Sequence, residues 1–257
     1  PSLGPMAIWL SLAAAMILGA LFSLLHAFAS INLNANQVIS GTAINMIAGA
    51  VTVFLARSIT GSGNIQLTQG IPRFDIPGLV DLPIIGRLFF YQTYGTTWLI
   101  LAILGLCAFL LYKTAFGLRL RACGENPHAA DAAGINVYRV RYGAVMISGA
   151  LAGLGGATIL VTYSGEFSGS VAGMGFLALA ALIFGQWKPT GVLGATFFFG
   201  FAATLANASQ AEPALQAIPE VVLKVFPYVL TLLALIFFSK STQAPRAAGE
   251  PFEKGKR

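Results

Sequence analysis

Apolar runs long enough to cross a membrane constrain this chain more than any other feature. They lie at residues 6 to 28, 38 to 57, 97 to 112 and 142 to 162. A helix of about 20 apolar residues crosses the hydrocarbon core of a bilayer. In lipid every backbone polar group has to be satisfied internally, which an α-helix achieves by itself. We therefore expect an all-α, polytopic bundle of transmembrane helices.

The composition excludes an ordinary soluble domain. Of the 257 residues, 56% are hydrophobic and only 9% are charged, whereas a soluble domain is usually about 25% charged. The net charge of +6 comes mainly from the loop at 113 to 141 and from the tail at 240 to 257. Basic loops next to membrane spans stay in the cytoplasm, so this distribution favours a membrane orientation signal over a nucleic-acid interface.

Three further segments complete the predicted bundle. Residues 171 to 184 and 191 to 207 are short and Gly-containing, which is typical of half-helices packed inside protein. Residues 221 to 238 are expected to form the last span. This gives about seven spans within a membrane domain at 1 to 239, followed by a basic cytoplasmic tail at 240 to 257 that we expect to be poorly ordered.

Successive spans cross the membrane in opposite directions, so a cytoplasmic basic loop determines on which side of the membrane every other connection lies. It predicts that the connections at 29 to 37 and 186 to 190 lie inside with the tail. Those at 58 to 94, 163 to 170 and 207 to 219 then lie outside.

The basic loop carries signals for a short helix. Asn126 suits the N-cap and Pro127 the first helical position. An alanine-rich stretch follows, and Gly134 is suited to end the helix. Such a helix lies either in an ordinary solvated loop or in a docking element for a partner, and we prefer the second interpretation.

Polar, uncharged residues cluster before and inside the second span: Asn36, Gln37, Ser40, Thr42 and Asn45. In lipid they have to face protein or water. They either form hydrogen bonds between helices or line a path for a neutral polar substrate, and the sequence favours neither. His26 is expected to be a hydrogen-bonding residue near the end of the first span.

The sequence lacks the common motifs for phosphate binding, metal binding and nucleophilic catalysis. The chain has no GxxxxGKS/T phosphate loop, no metal-binding HExxH or CxxC pair and no GxSxG nucleophile motif. Its spans are almost uncharged, whereas ion-driven carriers usually bury ionisable groups in the membrane. We therefore expect a transport protein, not an enzyme, whose energy comes from a partner. An ion-coupled carrier or channel working alone stays open.

The stretch GLRLRACGENPHAADAAGINVYRVRYGAVMISGALAGLGGA resembles the cytoplasmic loop and following helix of bacterial ABC-importer permeases of the branched-chain amino acid, ribose and nucleoside superfamily. The resemblance implies that this loop docks on an ATPase subunit through a coupling helix. The implied coupling residues are Gly124, Glu125, Asn126, Pro127, Ala129, Ala130 and Gly134. The match to the broader permease motif is looser, because His128 stands where glutamate is common and a later Leu-Pro is absent.

Two further stretches are similar to the nucleoside and simple-sugar permeases, namely residues 35 to 57 and the tail that ends PRAAGEPFEKGKR. The resemblance implies nucleoside import across the plasma membrane, with a simple sugar or branched-chain amino acid as alternative substrates. Implied partners are an ATPase subunit that holds ATP and Mg, a second homologous permease and an extracytoplasmic substrate-binding lipoprotein. It also implies N-terminal spans preceding those seen here.

Overall fold

The computed structural model describes residues 6–67, 70–83, 85–171, 173–211, 221–222, 225, 229 and 244–255. The chain divides into two compact units. The first comprises Pro1–Val171 and Arg246–Arg257, and the second comprises Ala172–Pro245. Most described residues are helical, as the apolar runs predict.

The helices of the first unit are α1 Met6–Ala27, α2 Gln37–Thr60, α3 Ile85–Phe89, α4 Gly95–Lys113, α5 Ala115–Glu125, α6 Pro127–Ala132 and α7 Val137–Ile159. Short π-helical turns extend two of them, with Phe28–Asn32 after α1 and Leu160–Ser164 after α7. The second unit contains α8 Met174–Phe184 and α9 Pro189–Ala211.

Four helices among the described residues are long and apolar enough to cross a membrane: Met6–Asn32, Gln37–Thr60, Gly95–Lys113 and Val137–Ser164. They coincide with the four long runs in the sequence. Helix α8 has 11 residues and is short, as predicted, whereas α9 has 23 residues and is longer than expected. The predicted span at 221 to 238 lies mostly outside the described residues, so the count of seven stays a prediction.

Helices α1 and α7 pack together, and small residues let them approach closely. A side-chain carbon added to Gly149 would overlap Ser23, and one added to Gly153 would overlap the backbone of Ala15. Gly19 lies against the backbone of both α7 glycines. Gly149 and Gly153 are four positions apart on α7, and small residues at this spacing let two membrane helices approach closely.

Two short antiparallel strand pairs lie at one end of the first unit. They are β1 Ile65–Gln66 with β4 Glu166–Phe167, and β2 Arg73–Phe74 with β3 Thr93–Tyr94. The backbone N–H of Ile71 also donates to the carbonyl of Val161, with N and O 3.3 Å apart. The β1–β4 pair and the bond from Ile71 join the connection between α2 and α4 to the end of α7 and the segment after it, whereas the β2–β3 pair lies within that connection. Alternation of the spans predicts the two joined segments on one side.

Three other segments meet elsewhere in the first unit. The hydroxyl of Tyr142 donates to Oδ1 of Asn32, and Nδ2 of Asn34 donates to Oε1 of Glu253 over 3.3 Å. The N–H of Ala247 donates to the carbonyl of Gly124 in the basic loop. Residues 29 to 37, the basic loop and the tail therefore meet at one face, as alternation of the spans requires.

Candidate functional site

The short helix in the basic loop has the caps that the sequence predicts. Oδ1 of Asn126 accepts from the backbone N–H of Ala129 over 3.0 Å, and Pro127 occupies the first turn. Gly134 has φ +81°, a left-handed conformation that glycine adopts without steric cost. Its N–H donates to the carbonyl of Asp131 over 2.9 Å. Both ends of α6 are therefore fixed locally, which a helix of six residues needs because it is too short to be stable alone.

The predicted coupling residues, which run from the end of α5 through α6 to Gly134, are mostly of two kinds, buried and exposed. Pro127 and Ala130 are buried against the protein itself. Glu125, Asn126, Ala129 and Gly134 are exposed, and Gly124 is half-buried. The exposed residues are thus available to a partner, whereas the side chains of Pro127 and Ala130 pack against the rest of the protein and hold α6 in place.

A small hydrophobic cluster lies under α6, and we call it the loop core. Its buried members are Cys123, Ala130, Val137, Val140 and Phe252. Burial raises the pKa of the Cys123 thiol, and the positive charge of Arg141 opposes that shift. The neutral thiol therefore behaves as a small apolar side chain here.

Phe252 is the loop-core member that sequence reasoning missed. Its side chain is 3% exposed although it lies in a polar stretch near the end of the sequence. Its ring centroid lies 5.5 Å from that of Tyr138 and 5.1 Å from that of His128. The expectation of a poorly ordered tail is therefore wrong for residues 244 to 255. The available signal was a single aromatic residue in an otherwise polar tail.

Backbone groups of the tail also bind the basic loop. The N–H of Ala247 donates to the carbonyl of Gly124 over 2.9 Å. The Tyr138 hydroxyl donates to the carbonyl of Phe252 over 3.2 Å, and Nη1 of Arg141 donates to that of Glu250 over 3.0 Å. Arg141 is thus more than a positive-inside signal, because it binds a backbone carbonyl of the tail.

The five residues of the predicted substrate path do not converge on one site. Asn36 caps α2 by accepting from the N–H groups of Val38 and Ile39. Gln37 is half-buried at the first position of that helix. Ser40, Thr42 and Asn45 do not lie together either.

Ser40 lies on the buried side of α2, and its Oγ is 3.0 Å from Nδ1 of His26. Thr42 and Asn45 are exposed on α2. The bond between Ser40 and His26 confirms the hydrogen-bonding role predicted for His26. It also favours, for Ser40, the helix-to-helix interpretation over a lining role.

Three known proteins that are similar to this chain are all named as ABC transporter permeases. The chain is 48% identical to the guanosine ABC transporter permease protein NupQ of Bacillus subtilis, over 99% of this chain and 81% of that protein. It is 42% identical to the nucleoside ABC transporter permease protein NupC of Lactococcus lactis, over 98% of this chain and 80% of the relative. A putative glucose ABC transporter permease protein of Haloferax volcanii, TsgC13, is 31% identical over 93% of this chain and 78% of its own length.

No solved structure matches the chain. A family model described as the permease component of the branched-chain amino acid transport system matches residues 2–235. That match covers most of the sequence, and the four membrane-length helices fit it. The chain is therefore a multi-pass membrane protein that belongs to the family of permease components of branched-chain amino acid transport systems.

Proposed function

We propose that this chain is the permease subunit of an ATP-driven importer that carries a nucleoside across the bacterial plasma membrane by alternating access. The observation that carries this proposal is the similarity, over nearly the whole chain, to permeases named for guanosine and for nucleosides. The more distant relative named for glucose makes simple sugars the competing substrate class.

The exposed side of α6 is the proposed ATPase-docking surface. His128, Ala129, Ala132 and Ala133 are exposed there and, apart from His128, carry only a methyl group. Small side chains let a partner approach the helix backbone closely. The ATPase subunit, with its ATP and Mg, would bind this surface through a groove of its own.

The loop core offers a route by which motion of α6 reaches the membrane. Ala130 packs in the loop core with Val137 and Val140, which lie in the first turns of α7. Helix α7 in turn contacts α1 through the close approach at Gly149. A displacement of α6 by the ATPase would therefore move a tightly packed pair of membrane helices, as coupling through packed side chains requires.

The remaining partners follow from the same proposal. A second, homologous permease would complete the translocation path, within a chain of about seven spans. An extracytoplasmic binding lipoprotein would deliver substrate at the face formed by residues 58 to 94 and 163 to 170. The basic loop would then lie in the cytoplasm with the ATPase.

Uptake by a reconstituted complex tests this function. Proteoliposomes that contain the permease, its paired permease and the ATPase, supplied with the binding protein, should import labelled guanosine only when ATP is present at the ATPase. Unlabelled nucleosides should compete, whereas glucose and leucine should not. Competition by glucose alone would reassign the substrate to a sugar, and uptake by the permease alone under an ion gradient would refute ATP coupling.

A bulky substitution tests the docking surface. Ala129→Trp, on the exposed side of α6, should abolish stimulation of ATP hydrolysis and co-purification of the ATPase. Ala115→Trp is the matched control, because Ala115 is equally exposed but lies at the opposite end of α5. Equal stimulation in both variants would show that the ATPase does not bind α6.

A further inference from the structure

The tail and the basic loop form one packed structure although they are far apart in sequence. Tyr138 and Phe252, whose hydroxyl and carbonyl are hydrogen-bonded, are separated by 114 positions. The Phe252 ring fills the loop core beside Cys123 and Ala130. Ala130 belongs to α6, so the last aromatic residue of the chain packs in the same cluster as the proposed docking helix.

The buried ring, not the surface charge, anchors this contact. Arg246 and Glu125 approach to 3.7 Å, but their side chains are 88% and 61% exposed, and such a pair contributes little in water. Phe252 is 3% exposed and also lies under the guanidinium of Arg141, whose carbon is 6.0 Å from the ring centroid. Removal of the ring would leave a cavity directly beneath α6.

Helix α6 depends on that support. It has only six residues, and its buried contacts are made by Pro127 and Ala130. Capping fixes its two ends, but its orientation is set by the cluster on which Ala130 rests. A helix this short gains its stability from tertiary packing more than from its own hydrogen bonds.

We propose that the segment from Arg246 to Gly255 is a positioning element for energy coupling, and that Phe252 holds α6 in the orientation that the ATPase binds. This inference rests on the proposed docking role of α6. It assigns to the tail a part in transport that its position after the last predicted span does not suggest. Phe252 touches neither substrate nor nucleotide in this assignment, because it acts through α6.

The chain carries an internal probe of this contact. Cys123 is 3% exposed and shares the loop core with Phe252. In a Cys107→Ser background, maleimide labelling of Cys123 in the assembled complex measures how often the loop core opens. A second measurement, the number of ATP molecules hydrolysed per guanosine imported, reports coupling itself.

Three variants separate the ring from the rest of the tail. Phe252→Ala removes the ring, Phe252→Tyr keeps it, and Lys254→Ala is the matched control because Lys254 is exposed on the same segment. In Phe252→Ala we expect Cys123 labelling to rise by about tenfold or more, since loss of a buried ring makes local opening easier. ATP hydrolysed per guanosine should also rise severalfold. The tyrosine and Lys254 variants should stay close to the wild type in both measurements.

Each contrary result has its own meaning. Unchanged labelling in Phe252→Ala would show that the ring does not hold the loop core together. Faster labelling with an unchanged ratio of ATP to guanosine would refute the positioning role, because the tail would then only stabilise the loop. If the alanine variant is not recovered from membranes, Phe252→Leu replaces it, with a smaller rise expected in both quantities.

Failure of the proposed function gives a different pattern. A wild-type complex that hydrolyses ATP but imports no nucleoside would overturn the substrate assignment. Permease-stimulated ATP hydrolysis, compared between the wild type and Phe252→Ala, would then still decide whether the tail positions α6. Equal stimulation in the two proteins would refute the positioning role.

Discussion

Gly149 of α7 faces Ser23 of α1 so closely that no side chain fits between the two helices at that point. We predict that Gly149→Leu destabilises the protein by about 1–3 kcal/mol, because extra methylene groups in a closely packed contact force the helices apart. Thermal unfolding in detergent micelles measures the change. Gly155→Leu is the control on the same helix, since within the described part of the chain no neighbouring segment comes within 4 Å of a side-chain carbon added there. Equal loss in both variants would mean that leucine, not the contact with Ser23, causes the effect.

The hydrogen bond between Ser40 and His26 allows the two interpretations of the polar residues on α2 to be separated. Ser40→Ala leaves the His26 ring without this partner and should lower stability by about 1 kcal/mol. The KM for nucleoside uptake should not change, because Ser40 is buried between helices. Thr42→Ala, at an exposed position whose hydroxyl donates to the carbonyl of Ile39 in the same helix, should leave stability unchanged. A raised KM in Ser40→Ala with unchanged stability would instead support a lining role.

The N-cap of α6 provides a local test of the docking helix. Asn126→Ala should destabilise α6 by about 1 kcal/mol, seen as faster hydrogen exchange at the amides of Ala129 and Ala130. Asn126→Asp should keep exchange slow, because a carboxylate oxygen accepts the same bond from Ala129. Equally fast exchange in both variants would show that the cap does not stabilise α6.

Thiol labelling should also depend on pH in a defined direction. Burial raises the pKa of Cys123, so the reactive thiolate forms only at a pH above the range of an ordinary thiol. Folding stability linked to this thiol is complete below the pKa of the unfolded state and falls as pH rises toward the raised value. In the Cys107→Ser background, intact protein should need a more alkaline pH than protein unfolded in detergent for the same labelling rate. Identical profiles would contradict a buried, neutral Cys123.

Local features of this chain could be predicted because they depend on neighbours in sequence. The runs that form α1, α2, α4 and α7 are visible as uninterrupted apolar stretches, since a membrane helix satisfies its own backbone. The caps of α6 could be predicted for the same reason, because Asn126 and Gly134 act on groups within a few residues of themselves.

Partner choice between distant segments could not be predicted. Nothing in the sequence of α2 indicates that Ser40 bonds to His26 while Thr42 stays exposed. The difference depends on which side of α2 meets α1. The tail is the clearest case. Its basic residues and prolines are typical of a poorly ordered end, whereas one ring, Phe252, packs against α6 and α7.

The sequence by itself therefore determined a basic loop between membrane helices, with a capped short helix inside it. Hydropathy, charge and capping are properties of contiguous residues, so they can be predicted without knowledge of the tertiary structure. Only the tertiary structure decided that Ala130 is on the buried side of that helix, that Ala129 is on its exposed side, and that Phe252, more than a hundred positions later, completes the loop core. Burial of an aromatic ring depends on a cavity built by segments remote in sequence, and that cavity exists only once the chain has folded.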